Sequence, residues 1–394
     1  MIGALILLIQ VAVLLLTLPG TLELLALTLA AAFLKKRLKV SRIHPDVSLP
    51  RLAVVMPAHN EASGIGACVA NLNASLKQAI GCELIVIADN CQDDTAAIAA
   101  EAGARVLVRQ NEGRRGKGYA LDYAFKTLLP EGFDGFIVVD ADSRVDTGMV
   151  NEFQHAFAQG LDALQCRYRI ANPEASRRAR LQYIAWLAFN ELRLLGREKF
   201  KVSVGILGNG FALSRAVLEA VPYEAGSIAE DMEYHLRLVD AGFQVHFLDT
   251  VAVLSDAPNQ GDNAAVQRSR WEGGRFRLMA EHIPALFFSV LRGRIRMLEP
   301  LAELLLLPLA YHVLLLLVTL LMPWAFLQYY AIAGLLLVMA HVLLALKGAG
   351  DGLTNIKALA AVPFYILWKL TLMPKLWRNA RHDAQWQRTD RENL

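Results

Sequence analysis

The sequence predicts an α/β domain with a mostly parallel sheet and helices on both faces, flanked by transmembrane and interfacial helices. Three observations carry that expectation. Between residues 51 and 165, short apolar runs alternate with helix-length stretches, the rhythm of a helix-covered parallel sheet. Apolar runs at about 2–34, 301–322 and 325–346 are each long enough to cross a hydrocarbon core. Asp89 ends one apolar run (Leu84–Ala88) and Asp140-Ala141-Asp142 ends another (Phe136–Val139). The carboxyl ends of buried strands are where open α/β sheets place their ligand chemistry.

Composition agrees with this division. Of 394 residues, 55% are hydrophobic, and the mean hydropathy is +0.35; the apolar excess lies at the two ends. There is room for one large soluble domain plus several membrane helices. A net charge of +3 is too small to point to nucleic acid. The four cysteines (Cys68, Cys82, Cys91, Cys166) lack C-x-x-C spacing, which supports neither a zinc site nor a disulfide framework. They read as small apolar residues.

Residues 1–34 read as a retained N-terminal anchor. A cleaved signal peptide would carry a basic start, an apolar run of only ~7–15 residues and a small-residue cleavage site. Pro19-Gly20 in its middle suggests a kink or tilt. Glu23 is costly in lipid, so it either meets another helix or cavity or sits near enough to an interface to be solvated. Lys35, Lys36, Arg37, Lys39 and Arg42 follow this span, and Arg292, Arg294 and Arg296 precede the next. By the positive-inside rule, the domain at 51–280 is cytoplasmic and the chain is a multi-pass protein of the cell's inner or plasma membrane. Residues 281–298 read as an interfacial helix and 299–347 as two transmembrane helices. Residues 354–378 are apolar but hold Lys357, Pro363, Lys369, Pro374 and Lys375. Crossing there would export Arg378, Arg381 and Arg388. The segment therefore reads as an interfacial or re-entrant helix with Trp368 and Trp377 at headgroup level, a fourth span being the rival, and 379–394 as a cytoplasmic tail.

Within the domain, strands are expected at Leu52–Met56, Leu84–Ala88, Arg105–Val108 and Phe136–Val139. Helices are expected at about 62–79, 93–102, 116–129 and 147–159. The second half predicts a long helix at about 174–199, a glycine-rich turn and strand at 203–213, and a helix over 230–241. Gly113-Arg114-Arg115-Gly116-Lys117-Gly118 lacks the glycine spacing and the Ser or Thr of a P-loop. Gly64-Ile65-Gly66-Ala67-Cys68-Val69 has valine where a dinucleotide fingerprint needs its third glycine, which argues against a Rossmann oxidoreductase.

The remaining polar residues define a chemistry. The turn Pro57-Ala58-His59-Asn60-Glu61 follows the first strand; Pro57, His59 and Glu61 are placed to border a base or ribose, or the turn is an ordinary capped loop. Asp89 either accepts from a nucleoside or caps the next helix. Asp140 and Asp142, two apart in an extended chain, would point to one side and suit Mg2+ or Mn2+ bridging a diphosphate. Lys117 either adds positive charge near that diphosphate or is solvated. Glu230-Asp231 opens a helix; capping explains one carboxylate, and the sharper reading makes Asp231 a general base toward an acceptor hydroxyl. Gly208-Asn209-Gly210 permits close backbone approach and suits an acceptor-facing loop. Gln267-Arg268-Ser269-Arg270-Trp271 offers Arg270 to a leaving diphosphate and Trp271 to an acceptor ring.

The order of these elements resembles that of membrane-bound glycosyltransferases of family 2, the relatives of cellulose, hyaluronan and poly-N-acetylglucosamine synthases, over roughly residues 51–280. The resemblance implies a GT-A fold, a UDP-sugar donor, a divalent metal and inversion at the anomeric carbon. It implies that Asp89 meets the uridine, that Asp140 and Asp142 serve the diphosphate and metal, that Asp231 with Glu230 serves base catalysis, and that Gln267, Arg270 and Trp271 form a gating and acceptor region. Three spans are few for a polymer channel. Either a membrane partner subunit or a homo-oligomer completes it, or the acceptor is a membrane lipid, as in the similar ceramide glucosyltransferases. A growing glycan in bacterial polysaccharide assembly is the first expectation. A non-catalytic nucleotide-binding scaffold is the remotest, since every chemical residue is retained.

Overall fold

The computed structural model describes residues 2–35, 40, 48–224, 230–258, 261–347 and 349–375. Lys36, Arg37, Lys39, Arg42, Trp377, Arg378, Arg381, Arg388 and the expected tail at 379–394 lie outside them. The described chain divides into two units, one of residues 40–172 and 201–263, the other of residues 2–35, 173–200 and 264–375.

The first unit is built on an eight-stranded sheet. Its strands are β1 (Leu52–Ala58), β2 (Glu83–Asp89), β3 (Arg105–Arg109), β4 (Gly135–Val138), β5 (Ser143–Val145), β6 (Ala163–Ile170), β7 (Phe211–Ser214) and β8 (Val245–Ser255). They lie in the order β3-β2-β1-β4-β7-β6-β8-β5. Neighbours β3, β2, β1 and β4 run parallel, as does the pair β6 and β8. The pairings β4 with β7, β7 with β6, and β8 with β5 are antiparallel. The sheet is thus mixed, with its parallel half where the strand–helix alternation was plainest.

β1, and β2 from Leu84 to Ala88, are apolar because helices cover both faces of the sheet, so alternation gives way to unbroken apolar runs. Leu52, Val54 and Met56 on one face of β1 pack with Ile65, Val69 and Leu72 of the helix Ile65–Leu76 and with Phe153 of the helix Met149–Ala158. The helices Thr95–Glu101 and Lys117–Leu128 follow β2 and β3 in the expected places.

The second unit is helical. Among the described residues, two helices are long and apolar enough to cross a membrane, Ile6–Phe33 and Ala325–Leu346. The stretch expected to cross at 301–322 is bent, its helices Ile295–Leu305 and Leu309–Leu320 meeting at 74° and together still apolar and long enough for one span. Pro308, at the N-cap of the latter, breaks the run. Residues 281–291 are not a separate helix but the end of Gly261–Leu291, which also carries Gln267 to Trp271. The long helix expected at 174–199 is one run, Arg177–Trp186 and Arg193–Phe200 joined by a π-helical segment, Leu187–Leu192. The C-terminal apolar stretch is two short helices, Gly352–Leu359 and Val362–Thr371.

Glu23 meets other helices. Its Oε1 accepts from Arg197 Nη2 at 2.7 Å and from Arg193 Nη2 at 3.2 Å. Arg197 Nη1 also reaches Glu299 at 2.5 Å and Glu303 at 2.7 Å. Both arginine side chains are 2% exposed and that of Glu23 is 8%. Buried charges are tolerable only when paired in this way. Gly196 permits the approach, because a Cβ there would stand 2.6 Å from the Leu27 carbonyl oxygen.

Candidate active site

β1, β2 and β4 run parallel, so the turns that follow them gather at one edge of the sheet. In the first turn Asn60 adopts φ +55°, a left-handed conformation that Asn tolerates better than most residues. The turn is tied to the one after β2. His59 Nδ1 donates to the Asp89 carbonyl at 2.7 Å, which fixes its tautomer. Asn60 Oδ1 accepts from Gln92 N at 2.7 Å, and Glu61 N donates to Thr95 Oγ1 at 2.7 Å. Pro57 is the penultimate residue of β1.

Asp89 does not cap the following helix, whose N-cap is Asp94. It is buried, and its Oδ1 accepts from Arg109 Nη1 at 2.5 Å and from Asn90 Nδ2 at 3.1 Å. Asp89 and Arg109 are register partners on β2 and β3. Sequence reading missed Arg109; a cation ending the strand beside an acid-ended strand was the available signal.

Asp140 and Asp142 lie beyond β4 in a tight turn rather than in the extended chain expected, with Ser143 N donating to the Asp140 carbonyl at 3.1 Å. A turn can also bring two carboxylates toward one point, but the period-two geometry of a strand does not apply. Lys117, the first residue of its helix, is not a solvated lysine. Its ammonium ion-pairs with Asp140 Oδ1 and donates to the Gly208 carbonyl at 2.6 Å. Burial disfavours that ammonium, but the charges of Asp140, Glu230 and Asp231 outweigh it and raise the lysine's pKa.

Glu230 and Asp231 open the helix Glu230–Ala241. Burial, and then the charge of Asp231, push the Glu230 carboxyl up to about 7 against the pull of Lys117. Burial also raises Asp231, opposed by Met232 N, which donates to its Oδ1 at 2.8 Å, and by Lys117. The Asp231 carboxylate lies against Gly208, where a Cβ would stand 2.9 Å from Oδ2. Gly208 has φ +80° and Gly210 φ +68°, so this loop needs glycine for conformation as well as space. A Cβ on Gly210 would stand 2.5 Å from Cys166 Sγ.

Gln165 on β6, unnoticed in the sequence, holds the loop from within the core. Its Oε1 accepts from Leu207 N at 2.8 Å, and its Nε2 donates to the Asn209 carbonyl at 2.8 Å. Tyr168, also on β6, is held well above the ordinary tyrosine range by burial and by the charges of Asp140 and Asp142. Lys117, Asp140, Gly208, Glu230 and Asp231 thus form one charged cluster. Gln267, Arg270 and Trp271 stand in the other unit. There Trp271 is 36% exposed, with the Arg268 guanidinium 5.8 Å and the Trp186 ring 6.0 Å from its ring centre. The next residue, Glu272, is buried, ion-paired with Lys369 and bonded by the Tyr311 hydroxyl at 3.1 Å.

Residues 50–274 match the model of a family described as glycosyltransferase like family 2. The chain is 25% identical over 262 residues to a probable glycosyltransferase, YdaM, of Bacillus subtilis, which covers 63% of this chain. It spans 60% of that relative's length. A 97-residue stretch is 39% identical to the low-salt glycan biosynthesis hexosyltransferase Agl6 of Haloferax volcanii, covering 25% of this chain and 22% of that protein. Among solved structures, the mannosyltransferase PcManGT from Pyrobaculum calidifontis, in complex with GDP-Man and Mn2+, aligns over 95% of this chain and 100% of its own. The TM-score is 0.58 at 16% identity, a likeness of fold, and that fold is GT-A.

Proposed function

The chain belongs to glycosyltransferase like family 2, and on that footing we propose that it is a metal-dependent inverting transferase. It moves a sugar from a nucleoside-diphosphate donor, UDP-linked by preference, to a hydroxyl acceptor. The observation that carries this reading is the meeting of Lys117, Asp140, Gly208 and Asp231 in one cluster at the carboxyl edge of the parallel strands.

The donor set of the Asp140–Asp142 turn, two carboxylates, fits a hard cation completed by phosphate and water oxygens. Asp140 and Asp142 would hold Mg2+ or Mn2+, which supplies Lewis-acid charge to the departing diphosphate. Lys117 adds fixed positive charge beside Asp140. Asp231 accepts the proton of the attacking hydroxyl. A carboxylate whose pKa is raised by burial and by the charge of Asp140 is a better base than an exposed one. Pro57, His59, Glu61 and the Asp89–Arg109 pair border the nucleoside. The acceptor and gating roles of Gln267, Arg270 and Trp271 rest on motif order.

We place the protein in the cell's inner or plasma membrane, multi-pass, with its catalytic unit cytoplasmic, serving bacterial polysaccharide assembly on a growing glycan. The competing acceptor is a membrane lipid, favoured by the two helices, or three if the bent pair is one span, that are apolar and long enough to cross. If the product is a polymer, a partner subunit or a homo-oligomer completes its path.

The test is release of nucleoside diphosphate by the protein in nanodiscs, with a panel of UDP- and GDP-sugars, Mg2+ or Mn2+, and lipid or oligosaccharide acceptors. Metal-dependent release from one donor, lost in Asp231→Asn with donor binding intact, is the expected result. Product size then separates a glycan from a glycolipid. Turnover that survives in Asp231→Asn refutes the assignment of the base. Absence of donor binding across the panel favours a non-catalytic scaffold.

A further inference from the structure

Asn209 is expected from its motif to face an acceptor, but its side chain turns toward the aspartate turn. It is 1% exposed. Its Oδ1 accepts from the backbone N–H of Asp140 at 3.1 Å. Only the amide oxygen can face that donor, so Nδ2 is committed to the other side, where it reaches Ser143 Oγ at 2.8 Å and Ser255 Oγ at 3.4 Å. Ser143 and Ser255 are register partners on β5 and β8, both buried, with hydroxyl oxygens 2.7 Å apart. Tyr168 completes the surround, hydrogen-bonded to Ser255 and Asn209.

Counting hydrogens gives this group a direction. The Asp142 carboxylate can only accept, so the Ser143 hydroxyl spends its one hydrogen there, on Oδ1 3.2 Å away, and its oxygen takes those of Asn209 Nδ2 and the Ser255 hydroxyl. We propose that Asn209, Ser143 and Ser255 are positioning residues that preset the two aspartates for a divalent cation. Asn209 fixes Asp140 through its backbone, and Ser255 and Ser143 orient the Asp142 carboxylate by a chain of hydroxyls. The loop 205–210 is thereby tied to the cation side twice, since Lys117 also joins the Gly208 carbonyl to Asp140. This inference rests on reading Asp140 and Asp142 as cation ligands.

The test is a Mn2+ titration of the full chain in nanodiscs with UDP present, following the EPR signal of unbound Mn2+. Asp142→Asn serves as reference, and Ser143→Ala and Asn209→Ala as the probes. Outer partners of metal ligands typically contribute about 10–100-fold to affinity. Ser143→Ala is expected to raise the Mn2+ dissociation constant by that order with the acceptor KM unchanged, beside a fall in melting temperature that corresponds to about 1–3 kcal/mol for the partners left in the core. Asn209→Ala is expected to do the same or more; if it fails to fold, Ser143→Ala decides. Wild-type Mn2+ affinity in Ser143→Ala, where Asp142→Asn is weakened, overturns the positioning role alone. Wild-type affinity in Asp142→Asn overturns the cation site itself, and the inference with it.

Discussion

Replacing Gly208 by alanine separates what the loop does for folding from what it does for chemistry. The residue has φ +80°, and an L-residue in that region costs about 1–2 kcal/mol. The added Cβ would also stand 2.9 Å from Asp231 Oδ2, 3.6 Å from its Cγ and 3.8 Å from its Cβ. Ordinary contact begins near 3.4 Å, so the carboxylate oxygen must retreat by about half an ångström or rotate away. Misplacing a catalytic group by about 1 Å can cost on the order of 100-fold in rate. Gly208→Ala should therefore lower kcat roughly 10- to 100-fold while donor affinity stays within about twofold. Gly132→Ala is the matched control: its φ is +82° and nothing lies within 4 Å of its Cβ. It should lose similar stability and no activity. Both variants are assayed by nucleoside-diphosphate release at saturating donor, beside thermal denaturation. A Gly208→Ala enzyme with wild-type kcat, or one no slower than Gly132→Ala, refutes the placement of Asp231 as the base beside this loop.

Other parts of the molecule make separate predictions. Because Glu230 is pushed up to about 7 and the Asp231 carboxyl is also raised, kcat/KM should climb as pH rises through about 7 and these carboxyls ionise. Lys117 lowers that titration, so Lys117→Met should move the inflection upward; a flat profile in the parent enzyme contradicts the assignment. Glu23→Ala removes one of the carboxylates that hold the buried Arg193 and Arg197, which keep Glu299 and Glu303, and should cost about 1–3 kcal/mol in detergent unfolding. A loss under about 1 kcal/mol would show that water reaches the cluster. Lys369→Met removes the shorter ion pair of the buried Glu272 carboxylate and leaves the longer one with Arg268, at 3.9 Å. Amide exchange over the helix Val362–Thr371 should accelerate, and a double-mutant cycle with Glu272→Gln should return a coupling above about 1 kcal/mol.

The parallel half of the sheet was legible because burial on both faces makes β1, β2 and β4 uninterrupted apolar runs. β6 and β8 were not, for the opposite reason. Ala163–Ile170 carries Gln165, Arg167 and Arg169 among its apolar residues, and Val245–Ser255 is broken by Asp249 and Thr250. The pairing of these two strands is itself irregular, with a register shift between Cys166 and Arg167. β5 has three residues, too few to show a period. The helices long and apolar enough to cross a membrane were legible by length, but the 74° bend was not, since Pro308 in an apolar run reads equally as a kink or as a break.

The same contrast runs through the candidate site. Asp89, Asp140 and Asp142 stood out because a carboxylate ending a buried strand needs a reason to be there. What those carboxylates touch is a property of the fold. Lys117 and Gly208 lie 91 residues apart, Asp140 and Asn209 lie 69 apart, and Ser143 and Ser255 lie 112 apart. The sequence marks Ser143 and Ser255 only as small polar residues at strand ends, and Gln165 only as one polar residue in a mixed strand. Their meaning appears when β8 lies between β6 and β5 in the sheet. Three buried polar side chains then converge on one turn and one loop, and each must find a partner or cost about 1–3 kcal/mol. A core that admits so many buried polar groups at one edge holds that edge in a single geometry. That is what a cation, a diphosphate and a base working within a few ångströms of one another require.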